Sequence, residues 1–182
     1  MKTFRHLLCW ISAVTLAASS LPMLAATTLK EGDEAPRFSG RDQDGRKWNL
    51  ADHVRKSAVL LYFYPKDDTA GCTAEACGLR DNMVELRQSG LDVVGVSFDD
   101  KESHKKFVFK YGLDFPLLAD THGAIADLYG ARMGSGIKMD RRISFLIGLD
   151  GKIIHVTDSP NPAVHVKELA TAMAKLRDMV SR

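Results

Sequence analysis

An α/β domain with a mixed central sheet flanked by helices is the fold class this sequence predicts, on three observations. Two apolar runs, Ala58 to Tyr64 and Asp92 to Phe98, are each followed by a stretch of helical spacing, the pattern of strand, crossover and parallel strand. Ile143 to Leu149 and Lys152 to Thr157 flank Asp150-Gly151, a hairpin signal that turns the later part of the sheet antiparallel. A last helical pattern, Ala163 to Met179, supplies a cover for that sheet.

The elements follow in order. Residues 27 to 35 form a polar lead-in, and Arg41 to Arg46 reads as a turn between short extended pieces at Phe38 to Ser39 and Lys47 to Asn49. The strand Ala58 to Tyr64 is apolar and aromatic throughout, as suits burial on both faces, and stops at Pro65. Lys66 to Gly71 leads into a helix from about Cys72 to Gln88, in which Ala76, Leu79, Met83 and Leu86 recur at helical spacing; Gly90 closes it. Asp99 and Asp100 can cap a helix from Lys101 to Tyr111, ended by Gly112. Phe115 to Leu118 is extended, and Asp120-Thr121 can cap a short helix through Tyr129. Neither a repeat nor a low-complexity linker divides residues 27–182, which read as one domain.

Residues 1–26 have the composition of an export leader. Lys2 and Arg5 begin it, Leu7 to Leu24 is largely apolar and uncharged, and Ala25 and Ala26 end it with small residues, so cleavage is placed near 25 or 26. An uncleaved anchor is the rival reading of the run. Pro22, the Ser and Thr residues and the small-residue exit favour cleavage, giving a periplasmic or otherwise exported protein, soluble once the leader is removed. Two of the 25 Lys and Arg residues leave with it, so 23 basic residues face 23 acidic ones and there is no electrostatic footprint for nucleic acid.

Cys9 also belongs to the leader, leaving Cys72 and Cys77. Two cysteines cannot make the multi-bridge framework of a small secreted scaffold, and they lack the further ligands of a tetrahedral metal site; no metal and no cofactor is expected. Cys72 at the start of a helix has unpaired N–H groups and the positive helix end beside it, which favour a nucleophilic thiolate open to solvent. Thr69 can turn its hydroxyl toward that sulfur or toward an oxygen of a substrate, and Pro65 can hold the backbone near it without adding a donor. Five helical residues separate the two sulfurs by about 7.5 Å of rise and roughly 140° of rotation, so a disulfide between them demands that the helix unwind. Gly78 would make that less costly. On spacing alone, a structural disulfide or a pair of buried free thiols stays open.

The segment Tyr62 to Asp81, with Tyr-Pro-Lys-Asp-Asp-Thr-Ala-Gly-Cys-Thr-Ala-Glu-Ala-Cys at its centre, resembles the active-site segment of peroxiredoxins, specifically the bacterioferritin comigratory protein or PrxQ branch. The likeness extends through Gly32 to Phe38, Val94 to Ser97, Phe115 to Asp120, Arg142 to Ile147 and Asp150 to Ile153. It implies a thioredoxin-like fold and an atypical two-cysteine, thioredoxin-dependent thiol peroxidase, commonly monomeric. Cys72 would be the peroxidatic cysteine and Cys77 the resolving one, the two forming an intramolecular disulfide. Thr69 and Arg142 would activate Cys72 and bind the hydroperoxide, Pro65 would shape the pocket, and a thioredoxin-like dithiol would reset the pair. Ala70 departs from the family, which usually has proline there, and this should loosen the loop. The rival functions are an exported thioredoxin-fold thiol-disulfide oxidoreductase and a noncatalytic redox module.

Among the neighbours, Arg141 would point to the face opposite Arg142 and reads as surface. Glu75 reads either as a partner for an arginine or as a solvated helix residue. His53, His104, His122, His155 and His165 read as ordinary surface or packing residues, and Trp48, Tyr62, Phe63 and Phe145 as core or pocket wall.

Overall fold

The computed structural model describes residues 29–180; the leader lies outside the described residues. The chain runs β1 (Ser39–Arg41), β2 (Lys47–Asn49), a 3-10 turn (Leu50–Asp52), β3 (Ala58–Phe63), α1 (Ala70–Asp81), α2 (Met83–Gln88), β4 (Leu91–Ser97), α3 (Lys101–Tyr111), β5 (Leu117–Ala119), α4 (Ala124–Tyr129), β6 (Ile143–Ile147), β7 (Ile153–Asp158) and α5 (Pro162–Val180). The main sheet has the order β5-β4-β3-β6-β7. Strands β3, β4 and β5 are parallel, and β6 and β7 are antiparallel to their neighbours, the mixed arrangement the sequence predicts.

Strand β3 sits at the centre with all six residues buried. Its period of two divides the core. Leu60 and Tyr62 join α1, α2, α3 and α5 residues on one face, with Leu79, Leu86, Phe107 and Leu169. Val59, Leu61 and Phe63 join Val94, Val96, Tyr129 and Phe145 on the other. Trp48 is buried in that second layer, stacked on Phe38.

Three local expectations change. The single helix to Gln88 is two helices broken at Asn82, whose backbone leaves the helical region (φ −101°, ψ 1°). The Asn82 side chain donates to the Gly78 carbonyl at 2.7 Å, the local competition with helix hydrogen bonds that makes Asn a poor interior residue. The Asp150-Gly151 hairpin is wider than a two-residue turn: Gly148 N–H donates to the Lys152 carbonyl, and the β6–β7 register shifts at Leu146/Ile147. Before α4, the cap position belongs to Gly123, while Asp120 Oδ2 accepts from Ile125 and Ala126 N–H at 2.9 and 2.8 Å. Asp100 does cap α3, accepting from Ser103 N–H at 2.8 Å, and Gly112 ends it in the left-handed region.

Among the described residues, no helix is long and apolar enough to cross a membrane.

Candidate active site

The sheet topology explains why residues seventy positions apart meet. Strand β3 delivers the chain to Pro65 and α1 at its carboxyl end, while β6 runs antiparallel to it, with Ile143 opposite Phe63. The residue just before β6 therefore lies beside the start of α1. Alternation along β6 puts Arg142 on the same face as Ser144 and Leu146, toward α1 and α5. Arg141 turns elsewhere and pairs with Asp158 at 2.8 Å.

Cys72 occupies the third position of α1. Its sulfur receives a hydrogen bond from Arg142 Nη2 at 3.3 Å. The same guanidinium donates through Nη1 to Glu75 Oε2 and through Nε to the Pro160 carbonyl at 3.3 Å. Glu75 is thus the arginine's partner and not a solvated helix residue, with 0% exposure. Burial raises its carboxyl to about 7, although Arg142 pulls the other way. Burial also works against the charge of Arg142, yet Glu75 and Cys72 hold its guanidinium above the ordinary range. A fixed cation beside sulfur favours negative charge there and on any oxygen leaving it.

Gly71 eases this approach. A Cβ on it would stand 3.3 Å from Arg142 Nη2 and 3.8 Å from Pro162 Cγ, crowding the guanidinium that must reach the sulfur.

Two expectations about the pocket are corrected. Cys72 is only 2% exposed, not open to solvent, because the third helical position faces inward onto the layer containing Tyr62, Tyr64 and Leu79. Thr69, exposed at the N-cap of α1, does not direct its hydroxyl to the sulfur; with extended backbone at φ −85° and ψ 149°, it donates to the Lys66 carbonyl at 3.1 Å. Pro65 lies half-buried at the end of β3. Cys77 is half-buried on the same continuous helix, and both thiols are free. Gly78 beside it has a packing reason: a Cβ there would fall 2.7 Å from Val166 Cγ2, so α1 and α5 approach closely at this point.

The loop between β3 and α1 is clamped rather than slack. Asp67 Oδ1 accepts from Tyr64 Oη at 2.7 Å, and its Oδ2 accepts from Ser103 Oγ at 2.8 Å and lies 2.9 Å from His104 Nδ1. Asp67 N–H donates to Asp99 Oδ2 at 2.9 Å. Asp68 adopts φ 57°, a conformation Asp tolerates better than most residues, and accepts from Lys110 Nζ at 2.8 Å and Tyr111 Oη at 2.6 Å. These bonds tie the loop to α3 and to the turn after β4 despite Ala70.

Sequence reasoning missed Tyr64, Asp67, His104, Ser144 and His165 as parts of polar networks. The two histidines left a readable trace. His104 precedes Phe107 by three positions, and His165 precedes Leu169, Ala172, Met173 and Leu176 on the buried stripe of α5.

The model of the AhpC/TSA family matches residues 31–156. Peroxiredoxin Bcp of Escherichia coli (strain K12) is 47% identical over 142 residues, covering 75% of this chain and 90% of the relative. The crystal structure of peroxidoxin BcpB from Mycobacterium tuberculosis superposes with a TM-score of 0.75 at 33% identity, over 82% of this chain and 97% of that one. The Xanthomonas campestris bacterioferritin comigratory protein, solved as trapped intermediate and ligand complexes, superposes with a TM-score of 0.69 at 26% identity, over 75% and 90% of the two chains. By family model, sequence and fold together, this chain belongs to the AhpC/TSA family, among the peroxiredoxins of the Bcp and PrxQ type.

Proposed function

We propose that this thiol-dependent peroxidase reduces hydrogen peroxide and organic hydroperoxides with Cys72 as the attacking sulfur and Cys77 as its resolving partner. The observation that carries the assignment is the Arg142 guanidinium on Cys72 Sγ at 3.3 Å, with Cys77 on the same helix. The alkyl peroxide reduction activity of the Xanthomonas campestris relative supports an organic substrate class.

The Cys72 thiolate attacks one peroxide oxygen in line with the O–O bond; that bond breaks, and the leaving oxygen takes a proton to become water or alcohol. Arg142 stabilises the charge in transit, and Thr69, after its hydroxyl swings from the Lys66 carbonyl, holds the peroxide beside Pro65. Cys72 is left as a sulfenic acid. Residues 72–77 then unwind, the Cys77 sulfur displaces the hydroxyl as water, and a Cys72–Cys77 disulfide forms. A thioredoxin-like dithiol returns two electrons and two protons by exchange. With residues 1–26 read as a cleaved export leader, the enzyme works as a monomer, periplasmic or otherwise exported, and its donor acts outside the cytoplasm.

Peroxide consumption with a generic dithiol, run beside single Cys72→Ser and Cys77→Ser variants, tests the roles. The Cys77 variant should complete the first oxidation and stall as sulfenic acid, whereas the Cys72 variant should leave peroxide untouched. Equal oxidation of both variants would overturn the assignment.

A further inference from the structure

The guanidinium of Arg142 has three hydrogen-bonding edges in use: Nη2 on the Cys72 sulfur, Nη1 on Glu75 and Nε on the Pro160 carbonyl. Behind the second and third stands one side chain. His165, buried on the first turn of α5, places Nδ1 2.8 Å from Ser144 Oγ and 3.5 Å from Glu75 Oε1. Its Nε2 lies 2.8 Å from the Ser159 carbonyl. A carbonyl only accepts, so Nε2 carries a proton, and in the neutral ring Nδ1 is the acceptor facing Ser144 and Glu75. Oε1 is buried and has no hydrogen-bond partner of its own among the described residues. The imidazole stands 3.5 Å from it across the helix interface.

We propose that His165 is a positioning residue for the peroxidase reaction: it braces Glu75 on one side of Arg142 and the Ser159–Pro160 turn on the other, aiming the remaining guanidinium edge at Cys72. The proposal rests on Cys72 being the peroxide-reactive sulfur. Its chemistry is that of an acceptor set against a carboxyl group. Burial favours the neutral form of both partners, raising Glu75 to about 7 and lowering His165. While Glu75 holds a proton, Oε1–H can share Nδ1 with the Ser144 hydroxyl, at 3.5 Å and 2.8 Å, and the Arg142 charge is left to the sulfur. Once Glu75 ionises, its carboxylate competes with the sulfur for the same guanidinium. Among the described residues, the other titratable or charged groups around Glu75 include Cys72 on its own helix, Tyr62 on β3, and His155 and Glu168 across a cavity of about 10 Å³ between α1, the sheet and α5.

The test is the second-order rate of Cys72 oxidation by hydrogen peroxide across pH, in the full mature chain with His165→Phe, His165→Asn and Glu75→Gln substitutions, alone and combined. Asn keeps a polar group near the Nδ1 position; Phe keeps ring volume only. Phe should slow the first step about tenfold, the scale expected when a reacting group is slightly misaimed. Asn should recover most of that loss. The pH curve of the Phe variant should move relative to the parent, and adding Glu75→Gln should abolish the movement. The rate of the later Cys77 condensation serves as an internal comparison and should change less than the first step.

An unchanged rate and pH curve in His165→Phe would overturn the proposal. So would Phe and Asn variants that lose rate together in proportion to lost thermal stability, with the pH curve unmoved, since that marks packing alone. If the parent chain itself shows no oxidation of Cys72, the assignment of that sulfur fails instead, which is a separate outcome.

Discussion

On the N-terminal side of Cys72, the loop from Lys66 to Thr69 hangs on α3, the end of β3 and the turn after β4 through Asp67 and Asp68 and their Tyr64, Asp99, Ser103, His104, Lys110 and Tyr111 partners. On the C-terminal side, the turns leading to Cys77 rest on the Glu75–Arg142 pair and on the contact of Gly78 with Val166, and the helix breaks soon after at Asn82. A dense polar clamp lies upstream of Cys72, and a sparser, partly apolar seam lies downstream. The difference teaches how one helix can serve two conflicting tasks. On the proposed mechanism, the segment that receives peroxide stays fixed, while the segment that brings Cys77 to Cys72 comes away from α5.

Breaking the clamp should have the largest effect. Asp67→Ala leaves the buried Tyr64 hydroxyl and His104 without their acceptor, at a cost of about 3 kcal/mol in denaturant unfolding. It should also slow Cys72 oxidation more than Cys77 condensation. The reverse order of sensitivity would mean the loop does not position the peroxide site.

The downstream side should answer to pH. The Glu75 carboxyl, near 7 in the helix against 4.5 when free, favours the intact helix while protonated. That advantage is fully present below about 4.5 and is lost as pH rises through about 7, a change of the order of 3 kcal/mol. Disulfide formation after a sulfenic acid pulse should accelerate over this range in the parent chain and lose that dependence in Glu75→Gln.

Gly78→Ala sharpens the same side. The added methyl gains helix propensity but meets Val166, so a net loss of about 1 kcal/mol is expected, restored in Gly78→Ala with Val166→Ala. The double variant, with a better helix and no clash, should form its disulfide more slowly than the parent.

The smallest effect belongs to Ala70. It is the first residue of α1, and Thr69 before it already has the extended ψ of 149° that a following proline requires. Ala70→Pro should therefore stabilise the fold by about 0.5–1 kcal/mol in thermal unfolding, with little change in rate because the loop is already clamped.

Much of this architecture was legible in the residues. The β3 and β4 runs announced themselves because strands buried on both faces lack polar interruptions, and the Cys72 segment carried enough specific residues to point to its family. The distribution of hydrogen bonds was not legible. Asp67 and Asp68 look alike in sequence, yet one is buried beneath α3 and the other sits on the surface in a left-handed conformation. His165 needed the register of α5 against β6 to be seen beside Glu75. The covering of Cys72 was missed because a helix start reads as exposed unless the packing of its third residue is known.

Hydrogen exchange of the reduced and the peroxide-oxidised chain, compared amide by amide, tests the central contrast most directly. Oxidation to the Cys72–Cys77 disulfide should strip protection from residues 72–78 while Asp67 and the N-terminal turns of α3 keep theirs. Protection of 72–78 that survives disulfide formation, or a loop at 66–69 that opens with it, would contradict the account.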